Sequence, residues 1–456
     1  MEPAKSNLVK GHSLLSVVSS EPIEPGKGFK FSSLDHAMGL HTVHVVFYYE
    51  SNPFHEGPHS LDMDNLRIAL SDLLNEYPKA TGRLTRGADG NWEVKCNDAG
   101  VRMVRADVST TIDEWLRSAD ASEEQDLTLW EDMPADPSIW SPFRIQINNF
   151  QCGGLAIGLS CTHMHADLTS ATQLFKSWTE FHRGQPLTHH PIFNFSATNG
   201  RSSRTDKTKT TEFYAAKSAV ETNPVKMGTA TLRFSDSAIK KCLSQVHSKC
   251  TSVTPFDLLV ALFWSRIARL KKPTDGVKHS LSFCVDLRKH TNMPVPFGYF
   301  GNALSFSSLS LDAKELLESD GLGNVSEHVH RHMASHKNEF WSALDWFDMN
   351  KEEGAKLAPP FRMYGPELTC INMEHMIDPE GRSLMFDAMF KKGEKPVHVS
   401  YHLRNVEGEG LILVMPSPEE GFGRIVRVML PEEQIGNLLE DEVILDLDPT
   451  VLLKSS

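Results

Sequence analysis

The chain is poor in cysteine: seven in 456 residues, Cys96, Cys152, Cys161, Cys242, Cys250, Cys284 and Cys370, with no C-x-x-C pair. That spacing excludes a zinc ribbon, a thioredoxin-type redox site and a disulfide-stapled scaffold, and an odd, sparse set fits a reducing compartment. Positive charge is also in deficit. Lys and Arg number 46 against 59 Asp and Glu, a formal net charge of −13, which is a poor footprint for a polyanion such as nucleic acid. No apolar run approaches the roughly 18 residues that suggest a bilayer span, and Met1–Lys10 has no apolar core of signal-peptide length. The expected address is the cytosol, with peripheral attachment to a membrane left open. There is no short-period repeat, no low-complexity tract, no G-x-S-x-G elbow, no P-loop and no G-x-G-x-x-G after a strand. These gaps remove solenoids, the hydrolase elbow, nucleotide triphosphates and dinucleotides from consideration.

What is present is enough apolar sequence for a full core. Hydrophobic residues are 40% and charged residues 23%, the balance of a soluble globular protein. At roughly 150 residues per domain the length predicts two or three domains. His41–Tyr49 is β-branched and aromatic, a strand; Trp92–Cys96 and Val101–Val104 read as short strands. Phe143–Phe150 alternates, and Gly153-Gly154 turns the chain into Leu155–Cys161, apolar enough to be a buried strand. Leu61–Tyr77 repeats apolar residues three and four apart and predicts an amphipathic helix stopped by Pro78. Helices are also predicted after Ser33, over Ser170–Arg183, Ser237–His247 and Thr254–Leu270, with strands at Thr229–Phe234, Leu281–Asp286, Val397–Leu403, Gly410–Met415 and Gly423–Met429. A polar stretch from Gly184 to about Thr222 reads as a linker or lid. Interleaved strands and helices in both halves give an α/β or α+β class.

The sharpest chemical signal is Cys161-Thr162-His163-Met164-His165-Ala166-Asp167, at the exit of the buried strand and before a helix. An imidazole there can reach a cleft, and its ordinary pKa of about 6.5 suits proton removal from a hydroxyl or amine. Alone, H-x-x-x-D is weak. Chance matches are expected with 21 His and 59 acidic residues, and the bland reading is a hydrogen-bonded His in a turn. His163, His165 and Asp167, spaced by two, would share one face of an extended strand and offer three metal ligands. No distant His or Cys completes that set, and the segment is expected to turn, so no metal is assigned.

Context adds to the motif. Ser141-Pro142-Phe143, Phe150-Gln151-Cys152-Gly153-Gly154, Gly158, His163-x-x-x-Asp167, Phe175 and Trp178 together resemble the plant BAHD acyltransferase family. So do Glu76-Tyr77-Pro78, Gly82-Arg83-Leu84, Cys96-Asn97-Asp98-Ala99-Gly100-Val101, Val285-Asp286-Leu287-Arg288, the block Pro294–Asn302 and Leu430-Pro431-Glu432-Glu433. The resemblance runs from about residue 30 to the end. It implies two chloramphenicol-acetyltransferase-like domains, each a mixed β-sheet flanked by helices, with a channel between them. Residues 1–183 and 227–456 would be the domains and 184–226 the crossover. It further implies a monomer, acyl-CoA as co-substrate with no bound cofactor, and a small-molecule acceptor. His163 would be the general base, and Asp167 would pair with Arg288 to hold the His loop.

The chain also departs from the family pattern. Leu168 stands where the family's His motif continues with Gly. Where the family has D-F-G-W-G, this chain has Phe386–Pro396: Phe390, Gly393, Lys395 and Pro396 match, but Met389 replaces the Asp and Lys392 the Trp. Met373, after Ile371-Asn372, stands at the end of a family segment that closes with Trp. Lys392, Gly393 and Asn372 are therefore expected channel or CoA contacts. These changes resemble the Eceriferum/Glossy wax branch, whose members are implicated in very-long-chain fatty-acid elongation beside a condensing enzyme at the endoplasmic reticulum. That leaves an accessory role as the alternative to catalysis. Other residues have plainer readings: His165 a polar loop residue, Phe175 and Trp178 core, Tyr299 and Phe300 packing at a bend, Ser400 and His402 polar strand positions.

Overall fold

The computed structural model describes residues 8–24, 26–54, 63–194, 207–220, 224–247, 251–271, 278–288, 295–317, 321–335, 357 and 359–454. Leu61, Cys250, Pro294 and much of the expected crossover lie outside them. A six-stranded mixed sheet has the order Val9–Val17, Val101–Val108, Phe143–Phe150, Leu155–Thr162, Thr42–Tyr49, His398–Arg404. A seven-stranded sheet has the order Leu304–Asp312, Lys278–Asp286, Thr369–Asn372, Leu411–Pro416, Arg424–Pro431, Met227–Phe234, Thr450–Leu452. A small third sheet joins Gly28–Lys30, Trp92–Lys95 and Arg83–Arg86.

One strand crosses between the halves. His398–Arg404 comes from the second half of the chain but pairs antiparallel with Thr42–Tyr49 in the first sheet. Division at residues 184–226 therefore does not separate the two sheets cleanly. The polar composition of that stretch also hides a helix, Lys207–Ser218. Its Tyr214 is fully buried, and the buried Lys217 ammonium pairs with Glu367. A lone buried tyrosine at a polar helix leaves no periodic signal.

The strand Leu155–Thr162 is buried at every position, as its unbroken apolar run predicts. Gly158 is required within it: a Cβ there would lie 2.2 Å from the Leu127 carbonyl oxygen. We expect Gly158→Ala to cost about 1–3 kcal/mol through overpacking; urea unfolding followed by tryptophan fluorescence checks this. The helix Leu168–His182 packs on this sheet. Phe175 stacks on Phe47 at 3.8 Å between centroids, and the Trp178 indole N–H donates to the Leu66 carbonyl. Both side chains are core, as the helical spacing suggests. Pro78 ends the helix Met63–Leu74 at a distance and opens the single turn Pro78–Thr81, since a proline ring suits a first helical position.

The largest apolar cluster is shared between the halves. It joins Phe143, Phe175 and Trp178 to Phe300, Tyr364, Met373, Phe390 and Tyr401. Burial of each such side chain supplies about 1.5–3 kcal/mol, so the two halves close on a common core. The chain around the altered C-terminal motif belongs to it. Phe390 is buried against Phe54, Phe175, Trp178 and His182, and the Tyr49 hydroxyl donates to the Ala388 carbonyl at 2.6 Å. No described helix is long and apolar enough to cross a membrane.

Candidate active site

The His motif stands where the first sheet meets the second half. The strand ends at Thr162, His163–Ala166 turn, and Asp167 caps the helix Leu168–His182 by accepting from the Ser170 N–H at 2.8 Å. The helix thus begins two residues before the expected Ser170, because the aspartate is its N-cap. His163 is fully buried. Its backbone is held at both ends: the N–H donates to the His41 carbonyl at 3.0 Å, and the carbonyl accepts from the Asn302 side-chain amide at 2.8 Å. Asn302 is itself fixed by two bonds to Asp35 Oδ1, at 2.7 and 3.0 Å.

Asp167 and Arg288 meet as the resemblance implies. Arg288 Nη1 lies 2.9 Å from Asp167 Oδ2 and 2.6 Å from Asp286 Oδ2, with all three side chains buried. The remaining guanidinium N–H groups donate to Ser170 Oγ and to the carbonyls of Tyr299 and Gly301. Asp167 Oδ2 also accepts from the Ala303 N–H at 3.0 Å. Burial alone would raise the Asp286 pKa, but Arg288 and His375 outweigh it and hold the carboxyl below its ordinary value. Burial alone would lower the Arg288 pKa, and the two carboxylates reverse that. Asp167 therefore fastens the His loop to the second half, and among the described residues no hydrogen bond joins it to the imidazole.

The imidazole of His163 meets the His41 ring edge-on at 6.5 Å and the Tyr364 hydroxyl. Its Nε2 lies 3.1 Å from the Tyr364 hydroxyl, while Nδ1 has no hydrogen-bond partner there. Burial lowers its pKa below 6.5, with Asp167 pulling the other way, so the ring is neutral and can take a proton at pH 7. Tyr364 is wholly buried, and burial raises its phenol well above 10. Gly365, at φ +102°, would place a Cβ 2.2 Å from the Glu407 carbonyl oxygen; this turn aims the tyrosine. Beside Tyr364 lies a cavity with room for about one water molecule, lined by Leu168, Thr169, Cys284, Asp286, Leu304, Tyr364, Ile371, Asn372, Met373 and His375.

The expected contacts therefore divide. Asn372 lines the cavity, its Oδ1 accepting from the Glu374 N–H at 2.8 Å. Lys392 and Gly393 occupy an exposed turn outside it. Met373, at the family's Trp position, lines the cavity, whereas Met389 does not. His165 is not a polar loop residue. It is fully buried, with Nδ1 2.5 Å from Thr162 Oγ1 and its ring edge-on to Phe31 and Phe143. The three candidate metal ligands thus point to different partners: His163 to Tyr364, His165 to Thr162, Asp167 to Arg288. Sequence reasoning gave no role to Tyr364, His41, Asp35 or Asn302. Asn302 closes a recognisable block, but a lone Tyr364 has no local signal.

A family model described as Transferase family matches residues 11–443. Protein ECERIFERUM 2 of Arabidopsis thaliana is 26% identical over 445 residues, covering 94% of this chain and 96% of that protein. Omega-hydroxypalmitate O-feruloyl transferase of the same plant is 28% identical over 368 residues, covering 76% and 79%. Among solved structures, vinorine synthase aligns with a TM-score of 0.69 at 18% identity, covering 94% of this chain and 98% of that one. TRI101 of F. graminearum, complexed with coenzyme A and T-2 mycotoxin, aligns at 0.71 and 14% identity, covering 93% and 100%. These likenesses bear out the fold expected from the sequence: two chloramphenicol-acetyltransferase-like halves built on mixed sheets.

Proposed function

The chain belongs to the Transferase family, the BAHD group of acyl-CoA-dependent acyltransferases, and from that premise we propose that His163 is the general base of its reaction. The observation that supports this is a neutral, buried imidazole whose backbone is fixed at both ends and whose Nε2 faces a hydroxyl. His163 removes the proton of an acceptor hydroxyl or amine. The acceptor atom bonds to the thioester carbonyl carbon, the tetrahedral adduct collapses, the C–S bond breaks, and the thiolate leaves with the proton as CoA. Holding donor and acceptor at one imidazole adds proximity to base catalysis. Asp167, Asp286 and Arg288 position the base by holding its loop.

The test is thiol release from acetyl-, feruloyl- and palmitoyl-CoA with pooled plant alcohols and amines. His163→Ala is expected to lower turnover by about 100- to 10,000-fold. Turnover equal in both proteins would overturn the assignment.

A second reading follows from the likeness to ECERIFERUM proteins together with Met389 and Lys392 in the altered C-terminal motif. It is an accessory role beside an elongase condensing enzyme at the endoplasmic reticulum, in cuticular-wax synthesis. In that case His163→Ala leaves the chain length of fatty acids unchanged when the two proteins are co-expressed. Against it, Met389 and Lys392 lie outside the cavity beside Tyr364, and Phe390, the motif's buried anchor, is kept.

A further inference from the structure

The base is sealed in. His163 is 0% exposed and Tyr364 1%, and the cavity beside Tyr364 has room for about one water molecule. Neither a thioester nor an acceptor fits there, yet direct proton removal needs the acceptor atom within about 3.2 Å of the imidazole. That place is taken. The Tyr364 phenol oxygen lies 3.1 Å from His163 Nε2, with the atom type and distance of an acceptor hydroxyl. Its contact with the Cys284 sulfur, at 3.8 Å, is weak. The segment that carries the tyrosine is anchored on one side only by strong backbone bonds. The Gly365 carbonyl accepts from the N–H groups of Glu409 and Gly410 at 2.7 and 3.2 Å, just before the strand Leu411–Pro416. On the other side of the tyrosine, the Met363 N–H donates to His41 Nε2 at 3.1 Å, and Arg362 pairs with Glu407 at 2.9 Å with both side chains partly exposed. Gly365 itself, at φ +102°, stands where a pivot would lie, at the boundary between the anchored and the latched parts.

We propose that Tyr364 is a displaceable plug: its hydroxyl holds the acceptor's place on His163, and the phenol leaves, pivoting at Gly365, before His163 takes the acceptor's proton. The inference rests on His163 being the base and adds what must happen before it acts. The site as it stands is the closed form. Every contact that holds the phenol lowers the fraction of open molecules, and the apparent affinity for acceptor falls by that fraction. The place the phenol vacates is walled by Phe306, Cys284, Leu304, Ile371 and Met373. The polar lining groups Thr169, Asp286 and His375 are engaged with one another. An entering group therefore finds an apolar wall and one free acceptor, the imidazole nitrogen. A hydroxyl or amine carried on a hydrocarbon fits that place, whereas a polyol would leave its further hydroxyls unpaired.

Diethyl pyrocarbonate, which carbethoxylates accessible imidazoles, reads the plug without any turnover. Labelled sites are mapped by peptide mass spectrometry, with His190, whose side chain is 73% exposed, as the open reference and the buried His398 as the reference for an intact fold. In the wild type, His163 is expected to react about 100-fold more slowly than His190. Tyr364→Phe keeps the ring and loses only the bond to Nε2. It should speed labelling of His163 by about 2- to 10-fold, the effect of one hydrogen bond on the open fraction. Tyr364→Ala should raise it further, with His398 still protected. Wild-type His163 labelled as fast as His190, or equally slow labelling in all three proteins, would overturn the plug. Labelling of His398 together with His163 in both variants would make the tyrosine a packing residue and overturn it as well. In transfer from palmitoyl-CoA to 1-octanol, Tyr364→Phe should lower the alcohol KM by about the same 2- to 10-fold with little change in kcat. A kcat lower by about 100-fold would put the phenol in the chemistry and overturn the plug. Thiol release equal in wild type and His163→Ala would remove the base assignment, which the labelling does not use.

Discussion

Arg288→Ala is expected to destabilise the fold by about 3–5 kcal/mol, because it removes the guanidinium that two buried carboxylates share. Asp167 and Asp286 share Nη1 of that one guanidinium, at 2.9 and 2.6 Å. The loss extends past the charges: the Tyr299 and Gly301 carbonyls and Ser170 Oγ also lose donors. Arg288→Lys should recover little, since a single ammonium cannot reproduce a planar fork of five donors. Asp167→Asn should cost less than Arg288→Ala, because Asn can still cap the helix at Ser170 and accept from the Ala303 N–H. Urea unfolding of the three variants checks the order. Equal stability for Arg288→Ala and wild type would show that the cluster does not hold the halves together. Acyl transfer should fall in parallel with unfolding of the loop, not with a shifted pH profile, since Arg288 does not touch the imidazole.

Acid is expected to unfold this protein well above the carboxylate range. His41, His44 and His398 are fully buried and held neutral, each with its pKa pushed down to about 3. Burial is the main cause in all three. The neighbouring cations that add to it are Lys217 and Arg362 for His41, Arg404 for His44, and Arg427 and Arg233 for His398. In the unfolded chain these imidazoles titrate at about 6.5. Between those values the unfolded state binds more protons, so stability rises with pH and is lost as pH falls below 6.5 towards 3. These three alone give a slope of about 4 kcal/mol per pH unit, and the depressed imidazoles of His165, His402 and His332 add to it. A fall from pH 6 to 4.5 removes about 6 kcal/mol, comparable to the whole stability of many domains. Unfolding near pH 5, followed by tryptophan fluorescence, is the expected result. His398→Leu, which removes one of these imidazoles, should flatten the slope by about 1.4 kcal/mol per pH unit. A flat stability profile from pH 7 to 5 would show that these imidazoles already carry their protons in the folded state. Asp286, held below its ordinary value, adds its own loss only at lower pH.

The acid effect comes from one feature of the architecture. The strand His398–Arg404 lies against Thr42–Tyr49, setting His44 opposite His402 in the register and placing Ser400 within 2.9 Å of Arg427 Nη1. The polar strand positions His44 and Ser400 are therefore buried. Arg427 also pairs with Glu124 at 2.8 Å, both side chains being buried, and the Tyr48 hydroxyl donates to the same carboxylate. A polar layer of this kind is stable only while each group keeps its partner and its charge state.

Much of the fold was legible along the chain because its signals are local. The apolar run of Leu155–Cys161, the apolar helix over Thr254–Leu270 and the helical spacing of Phe175 and Trp178 all report short-range chemistry. His163 and Asp167 were legible for the same reason, being four residues apart at a strand exit. Arg288 was reached through a family block, not through any spacing to Asp167. What only the tertiary structure decided is who faces whom. The sequence distance from His163 to Tyr364 is 201 residues, from His41 to Met363 it is 322, and from Asp35 to Asn302 it is 267. No periodicity spans such separations, because side chains so far apart are brought together by sheet pairing and a shared core and by nothing in their own neighbourhoods. The base could be picked out from its motif; the hydroxyl that occupies it, and the burial that keeps it neutral, exist only once both halves have closed around it.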